Sequence, residues 1–404
     1  MDRIIRTLAS DDMQGRAIIS PGIEKAAQFI EGEFKQIGLQ PLAGQKSYRQ
    51  NFSLLTISPK SYTATVDGTP VDEENILVIT DKTTLNWNNN SGIEVHYIKN
   101  GETFMSRYRT IMAIGKPVIV FVDEQFFDAF RQVRDHFMGE RVISEPNDAR
   151  AAVFILGEEN PSSYQINFSN EIAQAPLFNI AGIIPGKTKP NEYVIFSGHY
   201  DHIGVIAEDG GDSIANGADD DASGITAVIT LARYYKQLNN NSRTLIFVAF
   251  TGEESGMLGS KYFSEHLNAS EVVAMFNIEM IGKESKFGKN SAFVTGFDKS
   301  DFGNILQKNL EGTGFTFHPD PYLEQNLFYR SDNATLAAVG VPAHTISTVQ
   351  IDKDKFYHTV DDELTTLDVS NITSTIQAIA LSSRSIVSGL ETPKRITPLE
   401  QKKP

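Results

Sequence analysis

Seven side chains able to hold a metal or move a proton stand in five short segments: SGHYDHIG (197–204), NGADDDASG (216–224), FTGEESG (250–256), NIEMIG (277–282) and FYHTVDDE (356–363). They are His199, Asp201, Asp220, Glu253, Glu254, Glu279 and His358. Imidazole nitrogens and carboxylate oxygens in this number suit two divalent cations that share one carboxylate. Such a pair points to hydrolysis, because cations ~3.5 to 4 Å apart activate water and polarise the bond it attacks.

Taken singly, each residue has an ordinary structural explanation. A histidine after a strand is usually just hydrogen-bonded, and His358 in YHT says little alone. Adjacent glutamates normally form a solvated turn, yet Glu253 and Glu254 come straight after the apolar run of TLIFVAF, where solvation is harder. The Asp219–Asp221 run could be a polar loop or a calcium site, but it lacks the alternating ligands, central glycine and terminal glutamate of an EF-hand. Glu279 sits among apolar neighbours that would bury an unpaired charge. The coincidence of all five segments carries the argument. The other histidines, His96, His136, His202, His266, His318 and His344, show no comparable setting, and most are taken as structural. HExxH, GxSxG and P-loop patterns are absent.

The elements that must position these groups follow from periodicity. Residues 21–39 form an amphipathic pattern, with Ile23, Ala26, Ala27, Ile30, Phe34 and Ile37 on one stripe and Gly38 as its stop. From about 61 to 160 the texture is β-rich, with short runs such as ILVIT, VIVFV and AVFIL, a loop at 88–92 and one helix candidate at 126–137. From 193 onward, strands and helices alternate: YVIFS (193–197), a helix at 224–238, TLIFVAF (244–250), a helix at 257–267 and VVAMFNIEM (272–280). A helix near 301–311, the strand AHTIS (343–347) and a helix near 371–388 complete the pattern, and the tail from 391 is expected to fray. Continuous apolar strands separated by helices imply an α/β fold with a mixed, largely parallel central sheet flanked by helices. Ligands in such folds bind beyond the carboxyl ends of the strands, where His199, Glu253, Glu254 and Glu279 fall. Asp220, just before a helix N-terminus, could bridge. The expected domains are 1–60 and 176–390 as one catalytic unit, 61–175 as an inserted module, and 391–404 as a tail.

Composition narrows the function. The net charge of −15 argues against a nucleic-acid partner. With no cysteine, thiolate metal sites, disulfides and a cysteine nucleophile are excluded. No apolar run approaches the ~20 residues of a membrane span, and MDRIIRTLAS lacks a signal-peptide core.

The ordered set HxD, GADDDASG, GEE, an acidic residue ending the next strand, SDN and YHT resembles the M28 family of co-catalytic zinc metallopeptidases, mainly aminopeptidases. LASDDMQGR and the helix after it also resemble this family's opening segment, and the insert resembles a protease-associated domain. The resemblance implies one zinc on His199, Asp220 and Glu279 and another on His358, Asp220 and Glu254, with cobalt or manganese as possible substitutes. It implies Glu253 as general base and Asp201 as acceptor of a hydrogen bond from His199. Tyr357 would donate to the oxyanion, although a packed aromatic is an equal reading. The substrate would be a peptide, and the location extracytoplasmic, with a targeting segment removed. Two departures stand out: Glu279 where many members have Asp, and Asn333 where the usual stretch reads SDH. Arg330, Ser331 and Asp332 are candidates for the substrate pocket. A carboxypeptidase or a glutaminyl cyclase on the same fold is the nearest alternative, and a non-catalytic binding relative is the third.

Overall fold

In the computed structural model, which describes residues 1–143, 146–147, 149, 151–157 and 161–399, the chain divides into two units. One comprises Met1–Phe52 and the chain from Leu177 onward; the other is Ser53–Pro176. The strands Arg49–Val66 and Tyr164–Ile184 carry the chain from one to the other.

The sheet of the first unit is built around Lys189–His199, which pairs in parallel with Arg243–Phe250 on one side and Val272–Ile278 on the other. From Val194 onward the central strand is buried, as are nearly all residues of its two neighbours, because helices cover both faces. Ala343–Ser347 extends the parallel set, whereas Ile180–Ile184 pairs antiparallel with 245–249 and Ser291–Val294 pairs antiparallel with 346–347. The sheet is therefore mixed. The helix Pro21–Ile37 starts at Ser20, whose hydroxyl accepts from the Ile23 N–H, and ends at Gly38 with φ 79°. Its buried stripe, Ile23, Ala26, Ala27, Ile30 and Phe34, joins the helix Gly224–Leu238 in the main core.

Sequence periodicity misses several elements. Ser291–Val294 and Thr316–Pro319 are too short to show a period, and the strand at 164–184 mixes polar and apolar residues. The closing helix breaks into Val369–Ser382 and Arg384–Val387. Up to residue 399 the tail packs against the rest of its unit. The Ile396 and Leu399 N–H groups donate to Gly340 and Ala338 carbonyls, and the Ile396 side chain is buried in an apolar cluster. Residues 400–404 lie outside the described part.

The second unit is more than β-rich. Its four-stranded sheet runs Ile76–Thr80, Ala151–Leu156, Val118–Val122, Glu94–Ile98, with only the first pair antiparallel. Two helices, Phe104–Met112 and Phe127–Phe137, contribute Phe104, Ile111 and Phe130 to the core on one face of this sheet. The first of these was not expected, because its exposed Ser, Arg and Thr residues mask a short apolar stripe. Among the described residues no helix is long and apolar enough to cross a membrane.

Candidate metal centre

Strand register decides which side chains meet. Ser197 pairs with Asn277, so His199 and Glu279, two residues further along their parallel strands, leave the sheet level with one another and on the same face. His199 pairs with Phe250 on the other side, so the Thr251–Glu254 turn begins at the same height. The carboxyl ends of three adjacent strands thus open onto one crevice.

The 216–224 segment is fitted into this crevice by buried polar contacts. Asp221 accepts hydrogen bonds from the N–H groups of His199 (3.2 Å), Gly224 (3.0 Å) and Met280 (3.2 Å), tying the loop to two strand ends and a helix start. Its carboxylate needs the space left by glycine, since a Cβ on Gly198 would stand 2.7 Å from Asp221 Oδ2. Asp362 accepts from the N–H groups of Asp219 and Asp220, both at 3.0 Å. The Arg16 guanidinium, 1 % exposed, donates to the carbonyls of Leu8, Tyr200, Asn216, Gly217 and Asp220 at 2.6–3.3 Å.

At the centre, Asp220 turns one oxygen to each of two imidazoles: Oδ1 lies 3.1 Å from His199 Nε2, and Oδ2 lies 3.3 Å from His358 Nε2. Glu254 Oε2 is 3.0 Å from the same His358 nitrogen. His199, Asp220 and Glu279 each offer a ligand atom within 4.8 Å of the others, as do His199, Glu253 and Glu254. Tyr357 stacks on His358, with centroids 3.9 Å apart. With Glu279, Arg330 and Ser331 it lines a pocket whose other walls include Met280, Phe293, Leu327, Val349 and Ile351.

The charge balance of this crevice is that of a cation site. Burial, with repulsion from Glu279 and Asp332, holds the Glu253 carboxyl well above its usual range. Burial also raises Asp201 to about 6, and burial with repulsion from Asp220 and Asp332 raises Glu279 to about 7. Burial opposes ionisation of Asp220 as well, but hydrogen bonding to His199 and His358 keeps it well below. For His358 the desolvation is outweighed by Asp220 and Glu254, which lift it to about 10. Nε2 of His199 and Nε2 of His358 have no partner but the carboxylate oxygens that face them, and Oε2 of Glu279 makes no hydrogen bond. Protons crowded onto a buried nitrogen and oxygen cluster with unpaired atoms are those a divalent cation would displace, so the residues fit zinc.

Two expectations need correction. Asp201 was expected to receive the His199 hydrogen bond on its carboxylate. Instead its main-chain oxygen lies 3.1 Å from His199 Nδ1, while Oδ1 stands off at 3.8 Å. The carboxylate turns the other way and accepts the N–H groups of Glu253 (3.1 Å) and Glu254 (3.3 Å). His202, read as having no setting comparable to that of His199, belongs to the cluster: its Nδ1 is 2.8 Å from Glu254 Oε1. Its position three residues after His199, in HYDHIG, was the available signal. The His136 side chain lies outside the described residues. Arg330 and Ser331 reach the pocket, whereas Asn333 is internal, donating to the Phe328 and Ala343 carbonyls and accepting from Thr345.

The model of a family described as peptidase family M28 matches residues 179–382. A probable zinc metalloprotease of Pyrenophora tritici-repentis is 39 % identical over 109 residues, covering 26 % of this chain and 24 % of the relative. Leucine aminopeptidase 1 of Aspergillus fumigatus is 31 % identical over 201 residues, covering 46 % of this chain and 50 % of the relative. The chain thus spans from about a quarter to half of the length of these relatives. An aminopeptidase from Aneurinibacillus sp. strain AM-1 has the same fold, with a TM-score of 0.58 at 18 % identity, covering 100 % of this chain and 95 % of that one. A zinc aminopeptidase from Bacillus subtilis matches with a TM-score of 0.58 at 16 % identity, covering 99 % and 97 %.

Proposed function

Because the chain belongs to peptidase family M28, we propose that it is a zinc-dependent aminopeptidase, removing N-terminal residues from peptides with two metal positions and a glutamate base. The observation that carries this reading is Asp220, whose two oxygens face two different imidazoles. On this reading His199, Asp220 and Glu279 hold one zinc and Asp220, Glu254 and His358 the other. Zinc bound there supplies Lewis-acid polarisation of the scissile carbonyl and a lowered pKa for water.

The chain's own groups do the rest. Glu253 is held at the turn by the Asp201 carboxylate and has a strongly raised proton affinity. A carboxylate so tuned accepts the proton of the attacking water and returns it to the leaving amine. Tyr357 stacks on His358 and lines the pocket, where its hydroxyl can donate to the oxygen that gains charge. The pocket wall of Met280, Phe293, Leu327, Val349 and Ile351 favours an apolar side chain on the residue removed. The surrounding carboxylates favour its free ammonium over a carboxylate, with Arg330 the one cationic side chain lining the pocket among the described residues. The likeness of the inserted unit to a protease-associated domain belongs to the same reading, supported by its strand–helix–strand run from 118 to 156.

The test is zinc analysis of the purified chain together with an aminoacyl-anilide panel before and after chelation. Two zincs, cleavage of apolar aminoacyl anilides and loss of cleavage on chelation are expected. Two zincs with no turnover of any amine-terminal substrate would favour a carboxypeptidase, and a single zinc without hydrolysis would favour a cyclase.

A further inference from the structure

Of the side chains nearest the two metal positions, His199 and Glu279 stand at strand ends, and Asp220 lies in a loop locked by Arg16, Asp221 and Asp362. His358 is different. It lies in 350–363, a segment with neither helix nor strand, and has φ 57°, a left-handed conformation unfavourable for a residue with a Cβ. The Thr359 N–H closes this turn on the Phe356 carbonyl at 3.1 Å, and something must still anchor the turn to the rest of the fold.

Lys283 is placed to do so. Its Nζ is 2.6 Å from Asp354 Oδ2, 3.5 Å from Asp219 Oδ2 and 3.7 Å from Asp362 Oδ1, and it lies 5.2 Å from the centre of the Phe356 ring. Asp354 and Asp362 flank His358, four residues before and four after it. Asp362 is also the residue whose carboxylate receives the Asp219 and Asp220 N–H groups. Lys283 itself is fixed by the chain: its carbonyl accepts from the Asn371 amide, and the preceding Gly282 N–H donates to Asp219. Without the ammonium, three buried carboxylates would face one another across less than two such contact distances, and their repulsion would part the segment from the 219–220 loop.

We infer that Lys283 is a positioning residue: by drawing Asp354 and Asp362 to Asp219 it clasps both ends of the His358 segment, so that one of the two metal positions depends on a side chain that touches no metal. The inference rests on the two-metal reading above.

Stripped protein reloaded with zinc, with affinities measured by chelator competition, provides the test. The wild-type chain should bind two zincs. Lys283→Met should keep one at wild-type affinity and bind the other about 10- to 100-fold more weakly, the range for residues that orient a metal ligand. Lys283→Arg, which restores the charge, should recover most of the loss. A general weakening of the fold would instead lower both affinities together. Two zincs at wild-type affinity in Lys283→Met would overturn the inference and leave the two-metal reading standing, whereas one zinc in the wild type would remove both. Should Lys283→Met not fold, Asp354→Asn breaks the shortest of the three ion pairs and must weaken the same single zinc; unchanged affinities there would also overturn the clasp.

Discussion

The imidazole of His199 is oriented by the main chain of Asp201 and not by its side chain, since Nδ1 meets the Asp201 carbonyl oxygen at 3.1 Å. This leaves the carboxylate free to hold the turn that presents Glu253 and Glu254. Asp201→Asn keeps the carbonyl, so the His199 tautomer and its zinc should survive. The amide, however, offers an N–H₂ to one of two backbone N–H groups that both need an acceptor. The expected result is wild-type zinc content with kcat reduced roughly 10- to 100-fold. Loss of the His199-bound zinc with little change in kcat would contradict it.

Glu253→Gln separates binding from proton transfer. The amide fills the same space at the turn but cannot take a proton, so zinc content should be unchanged while kcat falls by about 10² to 10⁴. Steady-state kinetics beside metal analysis decide the matter. Retained turnover would exclude Glu253 as the base and require another group in the crevice to accept the proton.

Arg16 makes a prediction about the loop and not about the reaction. Its five carbonyl partners come from three separate stretches of chain, and a guanidinium satisfies such a fork-shaped set where an ammonium cannot. Arg16→Met should therefore leave buried carbonyls unpaired and cost at least ~3 kcal/mol in urea unfolding. Arg16→Lys should recover only a minor part of that loss. A change below ~1 kcal/mol in either variant would mean that water reaches these carbonyls.

How far the sequence reveals this arrangement depends on the kind of signal. Strand ends are legible, because YVIFS and TLIFVAF are apolar runs that stop where His199 and Glu253 begin, and parallel register brings those ends level. The helix 224–238 is legible from its periodicity and from the glycine at its start. Side chains that act through backbone groups are not. Asp362 and Asp221 read as members of acidic runs, and only the fold shows that each collects N–H groups from distant segments. Arg16 and Lys283 are single basic residues in unremarkable surroundings, and their partners lie as far as 204 and 79 residues away in sequence. Glu254 has a histidine partner, His202, that a reader of spacing passes over because His199 already accounts for the motif.

His344 sets a pH limit on stability that is independent of the metal site. It is fully buried in the strand 343–347, accepts or donates at both ring nitrogens, to Ser300 at 2.8 Å and to the Thr295 carbonyl at 2.8 Å, and stacks on Phe302. The Thr295 carbonyl can only accept, so Nδ1 carries the proton and Nε2 accepts from the Ser300 hydroxyl. Burial lowers this imidazole from its ordinary value of 6.5 to about 4. Between those values the unfolded chain binds a proton that the folded chain does not, so stability must fall as pH drops from about 6.5 and level off near 4. At ~1.4 kcal/mol for each unit of displacement, the loss amounts to roughly 3 kcal/mol. His344→Gln removes the titrating group, so the stability difference between wild type and variant should shrink by about 2.5 kcal/mol, most of that amount, between pH 7.5 and pH 4.5. Urea unfolding of the metal-free proteins at the two pH values measures it, and taking the difference cancels the other carboxylates and histidines. A difference that stays constant with pH would show that His344 takes up its proton at the same pH in the folded and unfolded chains, so that burial does not displace it.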